Sequence, residues 1–459
     1  MIQEKKQGNV VAIIMMIFLF GMISFITNLA SPMGDVLKYY FKSQLIEIPN
    51  WMGTLGVFAN FIAYAVMGIP GGIILQKKGY KITALIAIAI GFVGVGIQTV
   101  SGLIPGIAAF GVYVTGAFVA GFSMCMLNMV VNPMLNNLGG GGNSGNQLIQ
   151  IGGTFNSLCG TAVIVVVGVL VGNIAKAEIS DVFPVMYIAL AIFALAFLVI
   201  ALATIPEPNR GKKIEEEKSQ YSPLSFRHFI LGAFGIFVYV GVEVGIPNVL
   251  QKFLQNVDLN VLQLTAEQAA TIEEKKAIIG EQAATIAGFV TGTYWFLMLI
   301  GRLVGAAIAS KVSAKAMLTV VAGIGLLLVL GAMIAGSGNL VDLPTLQRSA
   351  EGSLSFGIVK VPLCAALLVL CGLCTSVMWG GIFNLAVEGL GKYTEKASGY
   401  FMVMVCGGGI LPLLQNAIVD MTGGTGYLVS YWVVVAGLAY MLYFAFVGSR
   451  NVNKDIPVA

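Results

Sequence analysis

The chain has 459 residues, 58% hydrophobic and 10% charged, with a mean hydropathy of +0.90 and a formal net charge of +4. These proportions lie far outside the balance of a soluble domain and mark a multispanning membrane protein embedded in a lipid bilayer. The positive excess is small and dispersed, and the aromatics sit in apolar runs away from basic residues, so nucleic acid is excluded as a partner.

Crossing a hydrocarbon core of roughly 30 Å takes about 20 helical residues. Twelve apolar runs meet that length: 10–29, 51–75, 82–100, 107–135, 147–171, 182–205, 229–250, 285–308, 316–335, 361–387, 398–419 and 427–447. The first follows Glu4, Lys5 and Lys6 as a signal peptide would, but its length and the absence of a small-residue cleavage site read as a retained span. Residues 206–227, with Pro206, Pro208, Pro223 and both basic and acidic runs, read as a solvated linker between halves 1–205 and 228–459. With twelve spans both termini share a side, and the loops of that side carry 16 Lys and Arg against 8 opposite. The positive-inside rule places both termini in the cytoplasm.

The halves echo one another. Gly68-Ile-Pro-Gly-Gly72, then Lys77, Lys78 and Lys81, ends the second run; Gly301-Arg-Leu-Val-Gly305, then Lys311 and Lys315, ends the eighth. Two six-helix halves with matching basic turns have the internal symmetry of major facilitator transporters, whose substrate lies near the midplane. In the outward loop 251–284, Glu-Gln-Ala-Ala-Thr-Ile occurs twice, 14 residues apart, as a surface helix over the seventh and eighth spans or a gating lid. The 139–142 glycine run has neither a following lysine nor a preceding strand, and reads as a flexible inner loop. Gly407, Gly408 and Gly409 in the eleventh run predict close helix packing or a bend. All six cysteines fall in apolar runs; Cys371 and Cys374 form a C-x-x-C that no second pair or nearby histidine completes, so no metal or other cofactor is expected.

The seventh run carries Glu243, with apolar residues for about a turn and a half on either side. A charge at the centre of a membrane helix costs about 2.5–3.5 kcal/mol on insertion scales, so such residues face a bundle interior or a watery cavity. Pro247, with Gly241 and Gly245 flanking the acid, predicts a kink beside it. Asp35 lies near the outer end of the first run and Glu388 near the inner end of the tenth, which leaves Glu243 as the carboxylate deep in a span. Few other polar groups interrupt the runs: Asn28, Asn128, Asn132, Asn156, Asn384, Gln415 and Asn416. Amides donate and accept, which suits a solute covered in hydroxyls; Tyr239 and Trp379 add flat surfaces for a sugar ring. The plainer reading is that such amides join helices, at about 0.6–2 kcal/mol each. Arg302, one turn inside the cytoplasmic end of the eighth run, reads as a headgroup anchor that snorkels or as an inter-helix gate bond.

At these residues the chain resembles the fucose-galactose-glucose:proton symporters of the major facilitator superfamily. The matching stretches are Leu127-Asn-Met-Val-Val-Asn-Pro133, Thr154-Phe-Asn-Ser157, Tyr239-Val-Gly-Val-Glu-Val244, Gly301-Arg-Leu-Val-Gly305, Ile382-Phe-Asn-Leu-Ala386 with Gly389-Leu-Gly391, and Gly407-Gly-Gly-Ile410. They cover both halves in order. The resemblance implies an all-α membrane protein of twelve helices in two pseudo-symmetric bundles, a sugar permease of the bacterial inner membrane driven by protons through alternating access. It also implies that Asn28 and Asn128 stand where the family has acids tied to coupling and sugar binding, although relatives that carry glucose and galactose have a glutamine at the second place. Asn156 falls on a sugar-contacting amide, Gly153 replaces a glutamine that reaches the sugar, and Trp379 takes the place of an aromatic.

The expectation is therefore a transporter, not an enzyme, for a monosaccharide or close derivative. Asn28, Asn128, Asn132, Asn156, Asn384, Gln415 and Asn416 would bind hydroxyls, with Tyr239 and Trp379 as ring surfaces. Glu243 would take a coupling proton, sodium being the alternative ion, and no obligate protein partner is expected. The loss of both family acids keeps open an uncoupled facilitator, or a carrier of another polar solute on the same fold.

Overall fold

The computed structural model describes residues 2–43, 55–104, 106–171, 179–203, 205–207, 221–256, 272–348, 354–422, 426–453 and 455–458. Most of the expected linker, at 208–220, and the first Glu-Gln-Ala-Ala-Thr copy, at 267–271, lie outside them, as does the side chain of Asp35.

Among the described residues ten helical stretches are long and apolar enough to span a membrane. One of these, Leu55–Ser101, has 47 residues, about 70 Å of helix and more than twice a hydrocarbon core. It holds the second and third spans, divided at Gly79, whose φ of 79° only glycine adopts without strain. The Glu207 carboxylate accepts the backbone N–H groups of Tyr80 and Lys81 at 2.9 Å each, satisfying donors at the start of the third span. The 29-residue helix Gly142–Leu170 supplies the fifth span, and the twelve-span arrangement read from hydropathy is complete.

Burial repeats with the period of the two halves. The first, fourth, seventh and tenth spans are 61, 72, 67 and 67% buried, whereas the sixth, eighth and ninth are 33% buried. The four most buried spans surround the molecular centre, which is why their polar residues matter. The tenth span is two helices, Leu363–Thr375 and Met378–Val387, and the eleventh is Thr394–Val403, a 3₁₀ turn at Met404–Cys406, and Gly407–Met421.

The seventh span runs unbroken as Arg227–Asn256 through Pro247. Gly241 and Gly245 make room for the eleventh span: a Cβ on them would strike Leu411 and Gln415. The run Gly407, Gly408 and Gly409 likewise packs against Phe237, Phe61 and Phe58. The eighth span starts at Ile272, so the second hexapeptide copy continues a transmembrane helix and does not lie across its neighbours.

The hydropathy reading has no strands, yet Leu340–Arg348 and Leu354–Pro362 form an antiparallel hairpin between the ninth and tenth spans, with Thr345 opposite Gly357. Val341, Leu343 and Val359 pack inward, while Phe356 and Ile358 are 60 and 70% exposed.

The two bundles come into backbone contact where the second span crosses the eleventh. A Cβ on Gly68 would lie 2.8 Å from the Val403 nitrogen and 2.9 Å from the Gly399 oxygen, and one on Gly399 would lie 2.8 Å from the Gly68 oxygen. Backbone leaves nothing to rotate aside, so Gly399→Leu is expected to hold the bundles apart at this end. Spin labels on the ends of the fifth and eighth spans would report it as a longer, broader distance distribution than in the parent protein.

Candidate functional site

The bundles enclose a cavity of about 390 Å³ to which both contribute. From the first come Ser24, Asn28, Tyr64, Asn128, Gln150 and Asn156, and from the second Glu243, Asn248, Gln251, Trp295, Arg302 and Trp379. Aliphatic and aromatic groups such as Ile23, Phe61, Val240 and Val244 fill the remaining wall. Apolar walls with a few convergent polar groups are the composition of a small-molecule site.

Its charged liners, among the described residues, are Glu243 and Arg302, and they are paired: Arg302 Nη2 lies 3.2 Å from Glu243 Oε1, with both side chains largely out of solvent at 10 and 14% exposure. Arg302 Nη1 also donates to the Gly153 oxygen at 2.8 Å and to Asn156 Oδ1 at 3.1 Å, and its Nε donates to the Ser376 oxygen at 3.2 Å. The planar guanidinium thus joins the fifth span of one bundle to the seventh and tenth of the other. This corrects the headgroup-anchor reading and leaves the inter-helix bond: the side chain turns inward because four of its N–H groups find fixed acceptors there. A Cβ on Gly153 would stand 3.6 Å from Arg302 Cδ, an ordinary packing distance, so the guanidinium passes in contact with the fifth span's backbone.

The amides divide into two groups. Asn28, Asn128 and Asn156 face the cavity as expected. Asn28 donates to the Ser24 oxygen at 2.8 Å, Asn128 to the Tyr64 hydroxyl at 3.1 Å, and Asn156 to the Phe20 oxygen at 2.7 Å. Asn132 is fully buried behind Asn128, to whose Oδ1 it donates at 3.2 Å. Asn384 lies away from the cavity and donates to Asn136 Oδ1 at 3.3 Å and the Gly142 oxygen at 3.0 Å, again across the bundles. Tyr239 is fully buried with its hydroxyl on the Thr375 oxygen at 3.2 Å, and supports Trp379 at a ring distance of 6.3 Å without facing the cavity. Gln415 is fully buried beside Gly245, outside the cavity. Asn416 sits in a smaller adjoining pocket, donating to Asn248 Oδ1 at 3.0 Å.

Gln150, Asn248, Gln251 and Trp295 are cavity residues that sequence reading missed. A signal existed for two of them. Val240, Val244, Asn248 and Glu243, Pro247, Gln251 are two i, i+4 rows on one helix face, and extending the Glu243 face by helical period reaches both amides.

Trp379 lines the cavity and its indole N–H donates to Asn132 Oδ1 at 3.0 Å, another bond between bundles. Gln150 donates to the Val377 oxygen at 3.0 Å and Gln147 to the Ala306 oxygen at 3.2 Å. Among the described residues, the hydrogen bonds joining the bundles all lie from the cavity floor toward the end that carries the 139–142 loop. The structure is therefore sealed at that end. Trp379→Phe keeps an aromatic face but removes one such bond, worth about 1 kcal/mol net, so the ratio of sealed to unsealed molecules is expected to fall about fivefold. Thiol-labelling rates of a cysteine placed at the sealed end would report the change.

Two helical bundles sealed at one end around a midplane cavity of amides, aromatics and one ion pair define a membrane carrier. The profile of the Major Facilitator Superfamily matches residues 11–413, and the chain belongs to that family of membrane transporters. It is 26% identical over 442 residues to a protein of Brucella abortus named glucose/galactose transporter, covering 94% of this chain and 93% of the relative. It is 23% identical over 478 residues to the L-fucose-proton symporter of Escherichia coli, covering 98 and 96%. The crystal structure of the transporter FucP in the outward conformation superposes with a TM-score of 0.71 at 19% identity, covering 97% of this chain and 100% of the other, and shares its fold.

Proposed function

We propose that this chain is a secondary transporter that moves a neutral monosaccharide or close derivative across the bacterial inner membrane by alternating access, coupled to protons. The observation that carries the reading is the charge balance of the cavity: Glu243 and Arg302 cancel, and the other polar liners are amides and hydroxyls. Such a site offers donors and acceptors to hydroxyls and asks no net charge of its solute. The names of the relatives, glucose/galactose transporter and L-fucose-proton symporter, support the same solute class.

In this reading the bundles at 1–205 and 228–459 rock about the cavity, linked by 206–227, with both termini cytoplasmic. Solute enters from the outer side against Trp379 and the Asn28, Asn128 and Asn156 amides. Charge balance at membrane depth then requires either Arg302 or a proton at Glu243. Separation of the fifth and eighth spans would withdraw Arg302 from Gly153 and Asn156, and Glu243 would exchange its proton while the pair is loosened. Asn28 and Asn128, in place of the family acids, favour a second reading, an uncoupled facilitator. Uptake of D-glucose or D-galactose into proteoliposomes under an imposed pH gradient separates the two. Accumulation above the external concentration supports coupling, equilibration supports the facilitator, and no flux of any sugar overturns both.

A further inference from the structure

Beside the main cavity lies a side pocket of about 40 Å³ between the second, seventh and eleventh spans. It shares Val57, Val244 and Asn248 with the cavity and continues to Phe58, Gly409 and Asn416. A void needs at least about 10–15 Å³ of such space to hold one water, so the pocket admits a small group and little more. The hydrogen bonds around it run one way. Lys252 Nζ donates to Asn416 Oδ1 at 2.8 Å, and Asn416 Nδ2 donates to Asn248 Oδ1 at 3.0 Å. That chain uses the Asn248 oxygen as an acceptor and leaves its NH₂ as the unused half of the amide. Among the described residues this NH₂ has no acceptor, and Asn248 walls both hollows.

We propose that this pocket is a specificity subsite that receives the exocyclic hydroxymethyl arm of an aldohexose, with Asn248 donating to the arm's oxygen. The proposal rests on the sugar-carrier reading and names its substrate class. Size and chemistry set the arm. Two non-hydrogen atoms suit a space of about 40 Å³, the apolar walls of Val57, Phe58 and Val244 suit the methylene, and an oxygen at its tip meets the amide. A methyl arm fills the same space but leaves a desolvated donor unpaired, and a ring with no arm leaves the pocket to water. An acetamido arm, with four non-hydrogen atoms, exceeds the space.

The test compares sugars that differ only in the arm: D-glucose, 6-deoxy-D-glucose and D-xylose, and in parallel D-galactose, 6-deoxy-D-galactose and L-arabinose. Each competes in counterflow exchange in proteoliposomes. One neutral buried hydrogen bond predicts that the parent protein prefers the hexose over its 6-deoxy form by about tenfold in one series or both. Asn248→Leu keeps the volume, and the preference collapses to near unity. Gly409→Ala places a Cβ 3.3 Å from Phe58 at the pocket wall, and lowers the hexose-to-pentose ratio through size. A parent protein without the preference, an Asn248→Leu protein that keeps it, or competition by neither hexose overturns the proposal. In each of these cases, transport of some other sugar leaves the carrier reading standing, whereas no transport of any sugar overturns both.

Discussion

Glu243→Gln is expected to abolish accumulation driven by a pH gradient while sparing counterflow exchange. A one-unit pH gradient stores about 1.4 kcal/mol per proton, enough to concentrate a solute tenfold at one proton per turnover. Delivering it requires a side chain in the cavity that gains a proton facing one side and loses it facing the other. Glu243 is the carboxylate that lines the cavity among the described residues. Glutamine keeps the shape and an oxygen that accepts from Arg302, so the binding surface and the rocking motion persist. It removes the proton site, and the accumulation ratio should fall from about ten to one. Exchange of internal for external sugar needs no net proton movement and should continue at a rate within a few-fold of the parent. A variant that still accumulates would place coupling elsewhere, and a variant that exchanges nothing would make Glu243 a part of the binding site itself.

Twelve spans and their division into halves were legible because hydropathy over about 20 residues is a one-dimensional quantity, and Glu243 was legible because a carboxylate in an apolar run has few structural excuses. Direction was not legible. Asn128 and Asn384 look alike in sequence, each an amide with apolar residues on either side. Asn128 opens on the cavity and Asn384 on the sealed end, because both inner helices are buried on nearly all sides and hydropathy marks no face. Arg302 shows the same limit. Its nearness to a basic turn left an anchor and an inter-helix bond both open, because its partner Glu243 lies 59 positions away and is reached only through packing. The hairpin was hidden for a different reason. Phe356 and Ile358 alternate with inward residues but are apolar themselves, which erases the in-out contrast of a strand, and Pro344 argues locally against one.

Arg302→Met should be the most damaging single change in the cavity, and a double variant isolates why. The substitution removes four hydrogen bonds at once, to Gly153, Asn156, Ser376 and Glu243. It also leaves the Glu243 carboxylate uncompensated, and breaking a buried pair from one side costs about 3–5 kcal/mol. The expected outcome is loss of transport together with a melting temperature in detergent lower by several degrees. Adding Glu243→Gln removes the stranded charge, so the double variant should recover most of the stability and none of the coupled uptake. Stability that falls additively in the double variant would show the pair to be incidental. Arg302→Lys separates charge from geometry. Lysine keeps the charge beside Glu243 but has no planar fork to reach the Gly153, Asn156 and Ser376 acceptors together. It should therefore retain stability near the parent's yet transport slowly, because two of the bonds that join the bundles, to Gly153 and Asn156, would be lost while the ion pair remains.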